Sequence, residues 1–217
     1  MMSLVNALPG AVAQGLIWGI MAIGVYLTFR ILDIADLTVD GSLGTGGAVC
    51  IMLMLSGQNV WVAMAGATAA GMAAGLATGI LHTFMGIPAI LAGILTQLGL
   101  YSINLKTMGK ANQAINVDKY DLLVSLRFIR KVPFYKNTIL IVAIAIILLI
   151  VVLYWFFGTE LGCSLRATGC NDKMARAQGI NTDFNRVLGL MISNGLVALS
   201  GAMLCQYQGF ADINMGR

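Results

Sequence analysis

The side chains of this chain that could handle a polar solute sit inside apolar sequence. Asp36, Thr38 and Asp40 lie in the stretch RILDIADLTVDGSLGTGG, Thr96 and Gln97 interrupt one apolar run, and Ser193 and Asn194 interrupt another. A polar group in hydrocarbon is costly without a partner. Each of these residues therefore either lines a pathway or holds two helices together by a hydrogen bond. Other chemistry is hard to build. The one histidine, His82, has no acidic residue near it in sequence and reads as a helix-end cap or an interfacial residue. Cys50 and Cys205 lie in apolar runs and read as small hydrophobes. Cys163 and Cys170 lack the spacing and the histidine neighbours of a metal knuckle. No catalytic constellation, metal site or cofactor is expected. The pattern Gly-x-x-x-x-Gly-Lys-Ser/Thr is absent, so any use of ATP needs a separate protein.

A second constellation is mechanical. In Asn171-Asp172-Lys173-Met174-Ala175-Arg176-Ala177-Gln178-Gly179, Asn171 is a good N-cap. Asp172 and Arg176 sit at the dipole ends that suit their charges, and Gly179 can stop the helix in a left-handed conformation. A two-turn helix of roughly 10 Å follows. It is too short to hold its shape alone in water, so it must dock on the rest of the chain or on a partner.

The elements that position these residues are membrane spans. Of 217 residues 59% are hydrophobic and 10% charged, against about 25% charged in soluble domains. Residues 41–105 contain no Lys, Arg, Asp or Glu. A charge at the centre of a span costs roughly 2.5–3.5 kcal/mol, which explains such a gap. About six segments approach the ~20 residues needed to cross hydrocarbon, near 11–29, 41–55, 60–81, 88–105, 138–157 and 187–207. The expectation is an all-α polytopic membrane protein forming one transmembrane domain over 1–217. No basic residue precedes Arg30, so no cleavable signal is indicated and the first run is expected to stay. The net charge of +4 then points to lipid headgroups and not to nucleic acid.

The stretch holding Asp33, Asp36 and Asp40 is too polar to span and too apolar for an ordinary loop. A broken or re-entrant element fits; so does a plain loop with solvated carboxylates. Ala67, Gly71, Gly75 and Gly79 form a smooth stripe, read as packing within the subunit in preference to a dimer seam; Gly15 and Gly19 repeat the pattern. Residues Lys119–Lys131 read as an amphipathic helix on the membrane surface. The connection 106–137 carries seven Lys or Arg and the connection 158–186 carries four. That count alone places the first in the cytoplasm.

Three stretches resemble the permease subunit of ATP-binding-cassette (ABC) importers of the branched-chain amino acid and ribose class, and more narrowly the permeases paired with tryptophan-type binding proteins. They are Gly15–Ser42, where Asp36-Leu37-Thr38-Val39 is similar to an Asp-Leu-Ser-Val signature, Ile87–Leu105, similar to a Pro-initiated fourth segment, and Leu165–Leu204, similar to the coupling loop and the helix after it. The resemblance implies a transport subunit and not an enzyme, in a bacterial inner membrane. It implies a second permease subunit in a homodimer, a partner ABC ATPase that binds the ATP, and an extracytoplasmic substrate-binding protein that delivers an amino acid or another small solute. It makes Asn171, Asp172, Lys173, Met174, Arg176, Gln178 and Gly179 the ATPase-coupling helix. It also sets 158–186 in the cytoplasm and 106–137 outside, against the charge count. Members of the class continue for several more spans after Gly209–Gly216, so a truncated permease is implied. The alternative is an ion-coupled secondary transporter, which also uses broken helices but usually has paired inverted halves; no second copy of the Asp33–Asp40 element occurs.

Overall fold

The computed structural model describes residues 2–115, 123–124 and 138–216, with side chains from Leu8 onward. Six helices are long and apolar enough to cross a membrane. They are α1 (Met2–Tyr26, prolonged by a π-helical turn over Leu27–Ile31), α2 (Thr38–Leu55), α3 (Val60–Thr83), α4 (Ala89–Met108), α5 (Thr138–Gly158) and α8 (Thr182–Gln208). Two shorter helices, α6 (Glu160–Cys170) and α7 (Asp172–Ala177), join α5 to α8. Strands β1 (Asn112–Ala114) and β2 (Phe210–Asp212) pair antiparallel, with Gln113 opposite Ala211, and tie the end of α4 to the end of α8.

α8 is the hub. At 27 residues it is about 40 Å long, and α1, α2 and α3 surround it. Its contact with α1 is an antiparallel ladder with a seven-residue step. Ser193 donates to the Gly24 carbonyl at 2.7 Å, Ser200 to Ile17 at 2.8 Å and Tyr207 to Gly10 at 2.9 Å. A seven-residue repeat keeps one seam of each helix in register when helices cross at a shallow angle. The stripe Gly71, Gly75, Gly79 packs within the subunit: a Cβ at Gly71 would overlap Ala198 and the Asn194 carbonyl, and one at Gly75 the Leu190 carbonyl. Gly15 and Gly19 have nothing within 4 Å of such an atom; the repeat of the pattern in α1 plays no such part here.

The segment between α1 and α2 is broken. After the π turn, Leu32 donates back to the Leu27 carbonyl and Ile34 to Thr28, Asp33 takes a left-handed φ of 57°, and the chain runs irregularly to Leu37. This segment meets α8 at Asn194, close to the middle of that helix. Irregular backbone is therefore packed against the middle of a long apolar helix, with the Asp36 carboxylate held by protein and Asp33 left exposed.

Several boundaries differ from the sequence expectation. Thr38 and Asp40 are not in the irregular element; they occupy the first turn of α2, because the glycines that follow allow close packing: a Cβ at Gly46 would overlap the Ala198 backbone. The connection 158–186 is mostly helical. Thr159 caps α6 by accepting from the Gly162 amide, and Asn181 starts α8 at Thr182, five residues before the expected 187, by accepting from Phe184. The expected surface helix over Lys119–Lys131 lies outside the described residues apart from positions 123 and 124.

Candidate functional site

The pathway candidates separate into two groups by where they stand. The first group surrounds the break before α2. Asp36 Oδ1 accepts the amide of Thr38, the first residue of α2, at 2.8 Å, while Asp36 Oδ2 accepts from Asn194 Nδ2 at 2.7 Å. The same Asn194 nitrogen donates to the Leu190 carbonyl at 3.0 Å, and its Oδ1 accepts from Ser42 at 2.5 Å. Asn194 is wholly buried and every polar position of its amide is used. Beside it, hydroxyls from three helices stand in line: Thr38 of α2 is 2.7 Å from Thr78 of α3, and Thr78 donates to Thr96 of α4 at 2.9 Å. Thr96 ends the line on the Ala92 carbonyl. Ser193 spends its hydroxyl on α1. In a low-dielectric interior such saturated networks fix one arrangement of helices. Asp36, Thr38, Thr96 and Asn194 are thus joined, Ser193 is tied separately to α1, and the polar capacity of all five is engaged by the protein itself.

The second group holds Asp40 and Gln97. They face one another across a small cavity of about 10 Å³ with Gly41, Tyr101, Asn104, Ile213 and Gly216. Gln97, Tyr101 and Asn104 stand at i, i+4 and i+7 on α4, a spacing that shares one helix face. Sequence reasoning passed over Tyr101 and Asn104, although this spacing was visible.

At the other end of α8, α7 forms as expected. Asn171 accepts from the Met174 amide at 3.1 Å, and Gly179 has φ of 81°. Its faces have different roles. Arg176, though exposed, reaches across to the start of α8: it donates to Thr182 Oγ1 at 2.9 Å and to Asp183 at 2.9 Å. Asp172 pairs with Arg186 at 3.3 Å, and Ala175 is 4% exposed. Asn171, Lys173, Gln178 and Gly179 are exposed, and Met174 is 63% exposed. The helix is thereby clasped to the first turns of α8 and turns an apolar tip outward. His82 meets its helix-end reading, with Nδ1 2.9 Å from the Ile87 carbonyl in the turn before α4.

Comparison with known proteins gives the following. The profile of the family described as "Branched-chain amino acid transport system / permease component" matches residues 8–217. The chain is similar to a "Tyrosine transport system permease protein" of Clostridioides difficile (strain R20291), 38% identical over 214 residues, covering 97% of this chain and 68% of that protein. It is similar to an uncharacterized protein of Rickettsia prowazekii (strain Madrid E), 37% identical over 213 residues, covering 97% of this chain and 72% of that one. It is also similar to the "Autoinducer 2 import system permease protein LsrC" of Yersinia pestis (strain Pestoides F), 31% identical over 200 residues, covering 91% of this chain and 54% of that protein. No solved structure gives a significant match.

Proposed function

This chain belongs to the family of branched-chain amino acid transport system permease components, and on that premise we propose that it forms half of a membrane pathway through which an amino acid enters the cell. It is a multi-pass membrane permease of an ABC importer, a transport component and not an enzyme. On our reading a second copy supplies the other half, and an extracytoplasmic binding protein delivers the solute. A separate ATPase subunit, which binds the ATP, docks on α7, and the connection 158–186 is cytoplasmic. The name of the Clostridioides relative makes tyrosine the first solute to try.

The observation that carries this reading is the division of α7. Its Asp172 and Arg176 are engaged with α8, while Lys173, Met174 and Gln178 stand free for a partner. Movement imposed on the exposed tip passes through the clasp into α8. Twelve residues along, α8 holds the break before α2 through Asn194. A partner cleft that closes on Met174 would thus reach the pathway through one rigid helix.

The test is reconstitution of the chain in proteoliposomes with its ATPase and binding protein and labelled L-tyrosine outside. Uptake is expected only when all three proteins and ATP are present. Uptake driven by an ion gradient without the ATPase would overturn the reading in favour of a secondary transporter.

A further inference from the structure

Arg30 stands at the end of a span without a partner. It lies in the π-helical turn that prolongs α1, is exposed, and makes no side-chain hydrogen bond or ion pair among the described residues. Asp33, three residues on, takes a left-handed φ of 57° and forms no ion pair with it. The hydroxyl of Tyr26, one turn before Arg30, makes no hydrogen bond among the described residues either.

Trp18, Ala22, Tyr26 and Arg30 follow at four-residue steps and so share one face of α1. The other side of the helix is tied to α8 through the carbonyls of Ile17 and Gly24. The first face is open: Tyr26 is 58% and Phe29 66% exposed. With Val25, these residues line an apolar groove of about 470 Å³ that has Trp18 at one end and Arg30 at the other. Twelve positions separate the two ends, about 18 Å along a helix. One leaflet's share of the ~30 Å hydrocarbon core is about 15 Å. The groove is therefore as long as one acyl chain and finishes on an unpaired guanidinium.

Arg30 also stands at the depth of a headgroup. The carbonyl of the next residue, Ile31, abuts Gly169 of α6, and Leu32 abuts Gly189 of α8, seven positions from the start of that helix. A guanidinium grips phosphate oxygens with its fork of N–H donors. A zwitterionic headgroup brings its own cation, which competes with Arg30 for the phosphate; an anionic headgroup does not.

We infer that the α1 face from Trp18 to Arg30 is a binding site for one anionic phospholipid, with its phosphate on Arg30 and Tyr26 and one acyl chain laid along Ala22 and Val25 to Trp18. On the orientation proposed above, the lipid belongs to the cytoplasmic leaflet, where anionic headgroups attract basic residues. The contact itself needs neither the solute nor the ATPase.

Trp18 is the reporter. The chain has three tryptophans; Trp61 and Trp155 are 70% and 72% exposed, so Trp61→Phe with Trp155→Phe should keep the fold and leave Trp18 as the one tryptophan emitter. The full chain with these two changes is placed in phosphatidylcholine bilayers containing a small fraction of phosphatidylglycerol or phosphatidylcholine brominated in the acyl chains. Quenching of Trp18 emission then reads the apparent affinity of each. The brominated phosphatidylglycerol is expected to bind about fivefold more tightly, the effect of one Arg at an anionic surface. Arg30→Ala should bring the ratio to about one, and Arg30→Lys should keep most of it. Ala22→Phe, which fills the groove from an exposed position, should also lower it. Lys106→Ala, at the far end of α4, should leave it unchanged. Equal quenching by the two lipids in the parent, or a preference that survives Arg30→Ala, overturns the assignment. So does the absence of quenching by either lipid, which would mean that a second copy or another protein segment covers this face.

Discussion

Asn194 Nδ2 lies 2.7 Å from Asp36 Oδ2, and this one bond fastens the middle of the most buried helix to the break between α1 and α2. The same amide takes the Ser42 hydroxyl and the Leu190 carbonyl. Asn194→Leu is isosteric in outline but strands a carboxylate and a hydroxyl. It should cost about 1–3 kcal/mol, read as a lower unfolding midpoint in detergent. Asp36→Ala placed on top of it should recover part of the loss, because it removes the stranded charge.

The hydroxyl line Thr38–Thr78–Thr96 gives a prediction in which three changes cost less than one. Thr78→Val interrupts the line and leaves Thr38 and Thr96 without their shared partner; about 1–2 kcal/mol should be lost. Replacing all three by Val removes every polar end together and should lie closer to the wild type than the single variant does. Thermal unfolding of the single and triple variants decides it.

Two glycines of similar sequence setting should respond in opposite ways. Gly71→Ala forces a methyl into Ala198 and the Asn194 carbonyl, an overpacking worth about 1–3 kcal/mol. Gly15→Ala meets nothing within 4 Å and should be neutral or gain up to about 1 kcal/mol from helix propensity. The same unfolding assay compares them.

The clasp of Arg176 on Asp183 is an exposed pair, with 56% and 45% of the two side chains accessible, so it should add little to stability, about 0–1 kcal/mol. Its effect should instead be on coupling. Arg176→Asp should leave ATP hydrolysis by the reconstituted complex largely intact while uptake per ATP falls severalfold. The charge-swapped pair Arg176→Asp with Asp183→Arg should recover uptake. Gly179→Val, forced into φ of 81° at about 1–2 kcal/mol, should reproduce the defect without touching a charge.

Much of this was legible beforehand because the bilayer imposes a coarse code. The charge-free run over 41–105 marked three spans, and the capped Asn171–Gly179 stretch marked α7. The break before α2 was visible in its aspartates, but not that Thr38 and Asp40 would be helical. Four glycines within Gly41–Gly47 weaken a local reading of helix, and only their distant neighbours explain them: Gly41 packs on α4, Gly44 on the Ile213 carbonyl, and Gly46 and Gly47 on α8. α6 was missed for a similar reason. Gly162 and Gly169 look like breaks, whereas a Cβ at either would overlap the backbone of Phe156 or Ile31. Among the candidate residues, sequence could place Asn194 and Gln97 inside spans. It could not show that the Asn194 amide is saturated, since that depends on partners over 150 positions away, as Ser42 is from Asn194.

The hub helix carries Asn185, Ser193, Asn194, Ser200 and Gln206, each at most 3% exposed. Delivered alone into lipid, those groups would lack acceptors. Its hydrogen-bond partners on α1, on α2 and in the break between them are translated earlier, so a ribosome releases them first and the nascent α8 enters a bilayer where Ile17, Gly24, Asp36 and Ser42 already wait. α5, an almost unbroken aliphatic run, needs no such reception. The order of the spans along the gene is therefore part of the assembly instructions, and a circular permutant that led with α8 would stall at the translocon.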